Sequence, residues 1–266
     1  MYSHRSNVRS NSKVSEMYSR AQLRQAIHGD EFTLVFQPIF KFKTGKFTGA
    51  EALLRWNVQD APQIGPGDFI PDAENNGGIV ELGEWVVSRA VQEAAQWPSY
   101  AWLALNASGR ELQRRGYGRM VIDCCTDAGF SPARLQVEVT ESDFDVTGPV
   151  ARANLRSLRE GGALIAIDDF GSGSSDERRL AELDADVIKI DRSRVAQISS
   201  PRAQDREELN KWMDAALKAN RQIIAEGVET KLQETWLIAR GAELGQGYLY
   251  SRPVPVGEFV EGFLPP

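Results

Sequence analysis

Asp168 and Asp169 end the apolar run Ala163-Leu164-Ile165-Ala166-Ile167 and are followed at once by Phe170-Gly171-Ser172-Gly173. A run that apolar reads as a strand buried on both faces. Two adjacent carboxylates at its exit repel each other unless a proton or a cation lies between them. Oxygen ligands for divalent metals are often presented in this way; the plainer alternative is a solvated pair with Asp169 capping the next segment. The pattern recurs along the chain. Glu138 lies inside Val137–Glu141, Lys189 and Asp191 in Val187–Asp191, and Glu226 and Glu229 close Ile223–Glu229. Asn106 ends Leu103–Asn106, and Glu51 stands among the small and apolar residues of Gly49–Leu54, with Arg55 next. Buried charges are costly unless paired or ligating a metal. One such residue per strand-like run points to a shared polar site.

The elements that must position these residues alternate. A helix-like stretch at Ala21–Ile27 precedes strand-like Phe32–Ile39 and Phe47–Trp56, joined through Lys41–Lys46 in what reads as a hairpin. Helical patterns follow over Gly67–Glu74 and Ile79–Trp97. Further strand candidates are Ala101–Ala107, Leu135–Glu141, Ala163–Phe170, Val187–Asp191, Gln222–Glu226 and Leu244–Tyr250, separated by helical stretches such as Arg110–Ala128, Val150–Glu160, Asp205–Ala219 and Lys231–Arg240. Eight strands interleaved with helices predict an α/β fold, a (β/α)₈ TIM-like barrel, whose functional groups gather at the carboxyl ends of the strands. Asn106, Glu138, Asp168 and Glu226 lie late in their runs, as that rule requires. A doubly wound open sheet is the alternative, weakened by the lack of a Gly-rich phosphate loop after the first strand. The hairpin departs from an all-parallel barrel.

The 266 residues are 42% hydrophobic and 26% charged, with a net charge of −6. This is an ordinary globular composition, and its acidity argues against binding a DNA or RNA backbone. A small anionic ligand stays compatible, because bound metal can supply positive charge. No stretch is apolar for long enough to span a membrane. Cys124 and Cys125 are adjacent in a helical pattern and point apart, so a disulfide between them does not fit and a reducing cytoplasm does. His4 and His28 have no ligand-like spacing. Residues 1–19, rich in Ser, Arg and Asn, read as a disordered tail or the remnant of a linker to a missing N-terminal sensory domain. The globular domain is expected over 20–266.

Taken together, the motifs resemble the EAL domain, the bacterial phosphodiesterase module that hydrolyses cyclic di-GMP. They are Gln37-Pro38-Ile39, Glu51-Ala52-Leu53 with Arg55-Trp56, Phe69-Ile70 with Ala73-Glu74, Leu105–Ser108, Glu138–Ser142, Asp168–Gly171, Lys189-Ile190-Asp191, Ala225–Thr230, and Gln246-Gly247-Tyr248 with Arg252-Pro253. They run in order over residues 20 to 263. The resemblance implies a barrel whose first strand is antiparallel to the rest, and two divalent cations, Mg²⁺ or Mn²⁺, at its carboxyl end. By that resemblance Glu51, Asn106, Glu138 and Asp168 are metal ligands, with Asp168 bridging and Asp169 beside it. Lys189 and Glu226 are the catalytic pair that holds and activates water, Lys189 with a pKa depressed by the cations. Gln37, Arg55 and Gln246 serve the dinucleotide side of the site, Gln246 and Glu229 also completing the water's surroundings. Glu141 and Asp191 support the ligands from behind.

The implied reaction is metal-dependent hydrolysis of cyclic di-GMP to linear pGpG, in a homodimer. Hard divalent cations prefer the carboxylate and amide oxygens found here. Competing readings pair Glu51 with Arg55, make Asn106 a helix cap, pair Lys189 with Asp191, or leave Asp191 to barrel packing. Trp56, Trp85, Trp97 and Trp102 are expected in the core. The departure from the family lies in Ser172–Leu180, where Ser174 replaces an aromatic and charged residues replace an apolar one. That loop couples dimerisation to metal binding in the family, so the rival reading is a catalytically silent module that senses cyclic di-GMP.

Overall fold

A computed structural model describes residues 17–59, 62–140, 148–170 and 185–265. The chain's first two strands, β1 (Phe32–Lys41) and β2 (Lys46–Trp56), form the expected antiparallel hairpin, in which Gln37 lies opposite Glu51. Gly45 turns it with φ 64°, a conformation that costs glycine least. From β2 the sheet continues in parallel through β3 (Trp102–Asn106), β4 (Leu135–Thr140), β5 (Leu164–Phe170), β6 (Val187–Ile190), β7 (Gln222–Ala225) and β8 (Leu244–Gly245). β8 then pairs antiparallel with β1, which closes an eight-stranded mixed barrel. The open-sheet alternative is thereby excluded. A two-residue strand, β9 (Val254–Pro255), pairs antiparallel with Val35 and Phe36 of β1, further along the edge that β8 occupies.

Helices cover the barrel, and most of the apolar core lies between them and the strands. Phe36, Leu54, Ile165, Ile188 and Ile223 face that layer, with Phe69, Leu82, Leu158 and Phe259 from the helices. The barrel's own interior is filled in two tiers. The lower tier is a small apolar plug of Ile39, Ala166, Val187, Ile224 and Leu244, flanked by Trp102. Gly49 admits that indole, since a Cβ at this position would lie 2.5 Å from the Trp102 ring. The upper tier, at the carboxyl ends of the parallel strands, is polar.

Three expectations change. The helical pattern over Arg110–Ala128 is two helices, Gly109–Leu112 and Tyr117–Asp127, because Gly116 between them adopts φ 83°. β8 stops at Gly245 and not at Tyr250; the amides of Tyr250 and Ser251 turn back to bond the Gly247 carbonyl. Within the expected tail, Met17–Ser19 are tied to the domain. The Met17 and Tyr18 amides both donate to Asp72 Oδ2 at 2.9 Å, and Ser19 caps the helix Arg20–His28. Trp56 and Trp97 are core residues, and Trp85 and Trp102 pack against it half-buried. Cys124 and Cys125 are both free thiols. Among the described residues, no helix is long and apolar enough to cross a membrane.

Candidate functional site

Side chains alternate across a strand, so inward-facing positions at the strand ends meet above the plug. Glu51, Asn106, Glu138, Asp168 and Lys189 reach that point from β2, β3, β4, β5 and β6, and Glu226 and Gln246 from just beyond β7 and β8. Lys189 is fully buried at the focus. Its Nζ lies 2.5 Å from Glu138 Oε2, 2.7 Å from Glu226 Oε1, 3.2 Å from Asp168 Oδ1 and 3.5 Å from Glu51 Oε2. Asn106 Nδ2 donates to Glu51 Oε1 at 2.8 Å, and Gln246 Nε2 donates to Glu51 Oε2 at 2.6 Å and to Glu226 Oε1 at 3.2 Å. From below, Gln136 Nε2 donates to Glu138 Oε1 at 2.8 Å.

Asp168 and Asp169 raise a geometric difficulty, because neighbours in a regular strand face opposite ways. The structure resolves it with an irregularity between Ile167 and Phe170, where Asp169 takes φ 54°. Such a bulge re-aims a side chain at some cost in backbone strain. Oxygens of Asp168, Asp169 and Glu226 all come within 4.8 Å of one another as a result. The Asp169 amide also donates to Asp168 Oδ1 at 3.0 Å.

Four carboxylates share one ammonium, so negative charge is in excess. Burial first, then the neighbouring acids, pushes Glu138 well above the carboxylate range and Glu226 up to about 8, against the pull of Lys189. Burial together with Asp168 and Asp191 raises Asp169 to about 6. Glu51 goes the other way: burial raises it, but the Lys189 charge and hydrogen bonds from Gln246 and Asn106 outweigh that and leave it low. The depression expected of Lys189 concerns the cation-loaded site; in the metal-free site the balance is different. Burial alone would lower it, yet Asp168, Glu138, Glu226 and Glu51 hold it well above the ordinary lysine value.

These observations decide several competing readings. Glu51 pairs with Lys189 and two amides, while Arg55 donates to the Leu54 carbonyl at 2.8 Å. Asn106 does not cap the next helix; Ser108 does. Asp191 caps Arg192–Ala196 by accepting from the Ser193 amide at 2.8 Å. Glu229 stands apart from the buried acids and pairs at the surface with Arg192, 2.8 Å away. Gln37, opposite Glu51, donates to the Ser251 carbonyl at 3.4 Å. Glu141 and the loop Ser172–Leu180 lie outside the described residues.

The residues fit divalent cations. The donor set is hard oxygen, the excess negative charge lacks a counter-ion among the described residues, and the buried Gln246 Oε1 has no hydrogen-bond partner there. Asn106, donating through Nδ2, keeps its carbonyl oxygen for a ligand. A cavity of about 460 Å³ adjoins Glu51 and Asn106, bounded by Leu53, Ile70, Pro71 and Val86.

Two features went unread in the sequence. Gln136 shares an inward face with Glu138, a parity that the i, i+2 spacing already contained. Two arginines gather about Tyr248: Arg252 lies 4.1 Å and Arg192 5.6 Å from its ring centre. They come from separate segments and leave no local signal.

A family model for the EAL domain matches residues 20–253. The cyclic di-GMP phosphodiesterase NbdA of Pseudomonas aeruginosa is 35% identical over 256 residues, which are 93% of this chain and 32% of that protein. The phosphodiesterase PaMucR, solved as a c-di-GMP complex, superposes with a TM-score of 0.84 at 32% identity, covering 90% of this chain and 98% of that one. The EAL enzyme Bd1971, solved with cAMP and cyclic di-GMP bound, gives 0.85 at 30% identity, over 91% of this chain and 67% of that one. The chain spans 29 to 38% of the length of the curated relatives it matches.

Proposed function

The chain belongs to the EAL domain family, and from that premise we propose that it hydrolyses cyclic di-GMP to linear pGpG in bacterial second-messenger signalling. The observation that carries the proposal is the convergence of Glu51, Glu138, Asp168 and Glu226 from four strands on the buried Lys189, with Asn106 bonded to Glu51 at the exposed edge of the cluster. A module that only binds a nucleotide has no need to gather four carboxylates, three of them buried, around one lysine at the cost this entails. The relatives NbdA and PaMucR support the same reaction class.

Glu51, Asn106, Glu138, Asp168 and Asp169 would hold two divalent cations, Mg²⁺ or Mn²⁺, which supply acidification of water and neutralisation of phosphate charge. The rest falls to the chain's own groups. Lys189 and Gln246 both engage Glu226 Oε1, which leaves Oε2 to accept the proton of the attacking water once the cations' charge would have brought the raised Glu226 pKa down. The water oxygen joins phosphorus, the bond from phosphorus to O3′ breaks, and the proton passes to the departing O3′, which leaves as a 3′-hydroxyl. Arg55, Gln37 and the arginines around Tyr248 draw the anionic dinucleotide to the mouth and orient it. Glu141 and Asp191 belong to this reading as supports, and Glu229 as a surface neighbour tied to Arg192. The reading also assigns the domain to the cytoplasm, as a homodimer that receives its input from an N-terminal sensory domain.

Purified protein incubated with cyclic di-GMP and Mg²⁺ or Mn²⁺ should produce pGpG, and Glu51→Ala or Glu226→Ala should abolish it. Tight binding without turnover in either metal would sink the enzyme reading in favour of the sensor. Unchanged turnover in either variant would sink the site assignment.

A further inference from the structure

We infer that Gln136 is a positioning residue for Glu138, acting through that carboxylate on the metal centre; the inference rests on the two-cation reading above. Gln136 is 2% exposed and lies on the inward face of β4, two residues before Glu138. The interior around that level is the apolar plug of Ile39, Ala166, Val187, Ile224 and Leu244. A primary amide at the edge of such a plug is expensive unless it is bonded. Its bond goes upward, from Nε2 to Glu138 Oε1 at 2.8 Å, while Lys189 holds Glu138 Oε2 at 2.5 Å. The two donors grip different oxygens of one carboxylate and fix its rotation about the last side-chain bond.

Lys189 alone cannot do this. It is shared among four acids, so its pull on Glu138 changes with whatever else occupies the site. Gln136 donates to no other described residue, and its neutral amide gives the same bond whatever the charge above it. Partners behind a metal ligand orient it, and removing one commonly costs 10- to 100-fold in affinity or activity. Gln136 also borders a cavity at the amino-terminal mouth of the barrel, beside Trp102 and Arg134. That is the end opposite the site, so its side chain does not meet substrate.

The test uses Gln136→Met, which keeps length and suits the plug but lacks the donor, and Gln136→Asn, which keeps the amide but falls short of Glu138. Mn²⁺ binding is followed by titration calorimetry on the full chain, beside pGpG formation and thermal melting without metal. Both folded variants should bind Mn²⁺ about tenfold more weakly or worse and lose kcat, with KM for cyclic di-GMP within twofold of the parent. The Met variant should melt no lower than the parent. Parent-like Mn²⁺ affinity in either folded variant overturns the inference, and so does a defect confined to KM. A parent protein that binds no Mn²⁺ overturns the two-cation reading and this inference with it.

Discussion

Lys189 is the cation on which the metal-free interior depends, and its loss should be felt most where the acids are ionised. Breaking a buried charge cluster by removing one partner costs about 3–5 kcal/mol. Lys189→Met should therefore lower the urea midpoint of the metal-free protein strongly at pH 8.5 and less at pH 6, where protonation of the acids relieves the repulsion. Equal losses at both values would contradict the charge balance described. The parent has its own pH dependence. Glu226, up at about 8, and Asp169, at about 6, bind protons in the folded state that they release when unfolded. A group of this kind stabilises the fold below its ordinary carboxylate pKa, and that stability is lost as pH rises through the raised value. Thermal melts in a chelator should fall between pH 5 and 8.5, and excess Mn²⁺ should flatten the decline, because metal binding expels the same protons. At this scale most of the site was legible in the sequence: an acid, an amide or a lysine closing an apolar run is visible one run at a time. Which acid would hold its proton was not, since that depends on distances between residues up to 175 positions apart, from Glu51 to Glu226.

The elements differ in how openly the sequence declared them. Seven of the strands are apolar runs bounded by turn residues, so their existence was plain. The hairpin of β1 and β2 also foretold the antiparallel start of the barrel. β8 holds its place with two residues and the turn behind it, and β9 with two more, too few for any periodic signal. Gly247 shows what the short strand needs. At φ 154°, a Cβ there would lie 2.2 Å from the Val228 nitrogen and 2.3 Å from its oxygen. Gly247→Ala must push this turn away from Val228 and carry Gln246 with it, loosening the bonds to Glu51 and Glu226. We expect turnover to fall at least tenfold, about 1.4 kcal/mol in the barrier. A crystal structure of the variant should show the Gln246 amide displaced; an undisplaced amide or parental kcat would refute the coupling.

As a whole molecule, the protein carries net negative charge yet collects arginines around Tyr248 at the rim and acids at the floor. The apolar plug has a consequence for traffic. A barrel stoppered by Ile39, Ala166, Val187, Ile224 and Leu244 cannot be crossed from its amino-terminal end, so among the described residues the site opens at the carboxyl-end mouth. In the proposed reaction whatever reacts leaves by the way it entered, so the linear product would stand where the next cyclic dinucleotide has to arrive. Initial rates with added pGpG should then show apparent KM rising while Vmax holds. A fall in Vmax at constant KM would mean that the product has a separate exit or a separate seat.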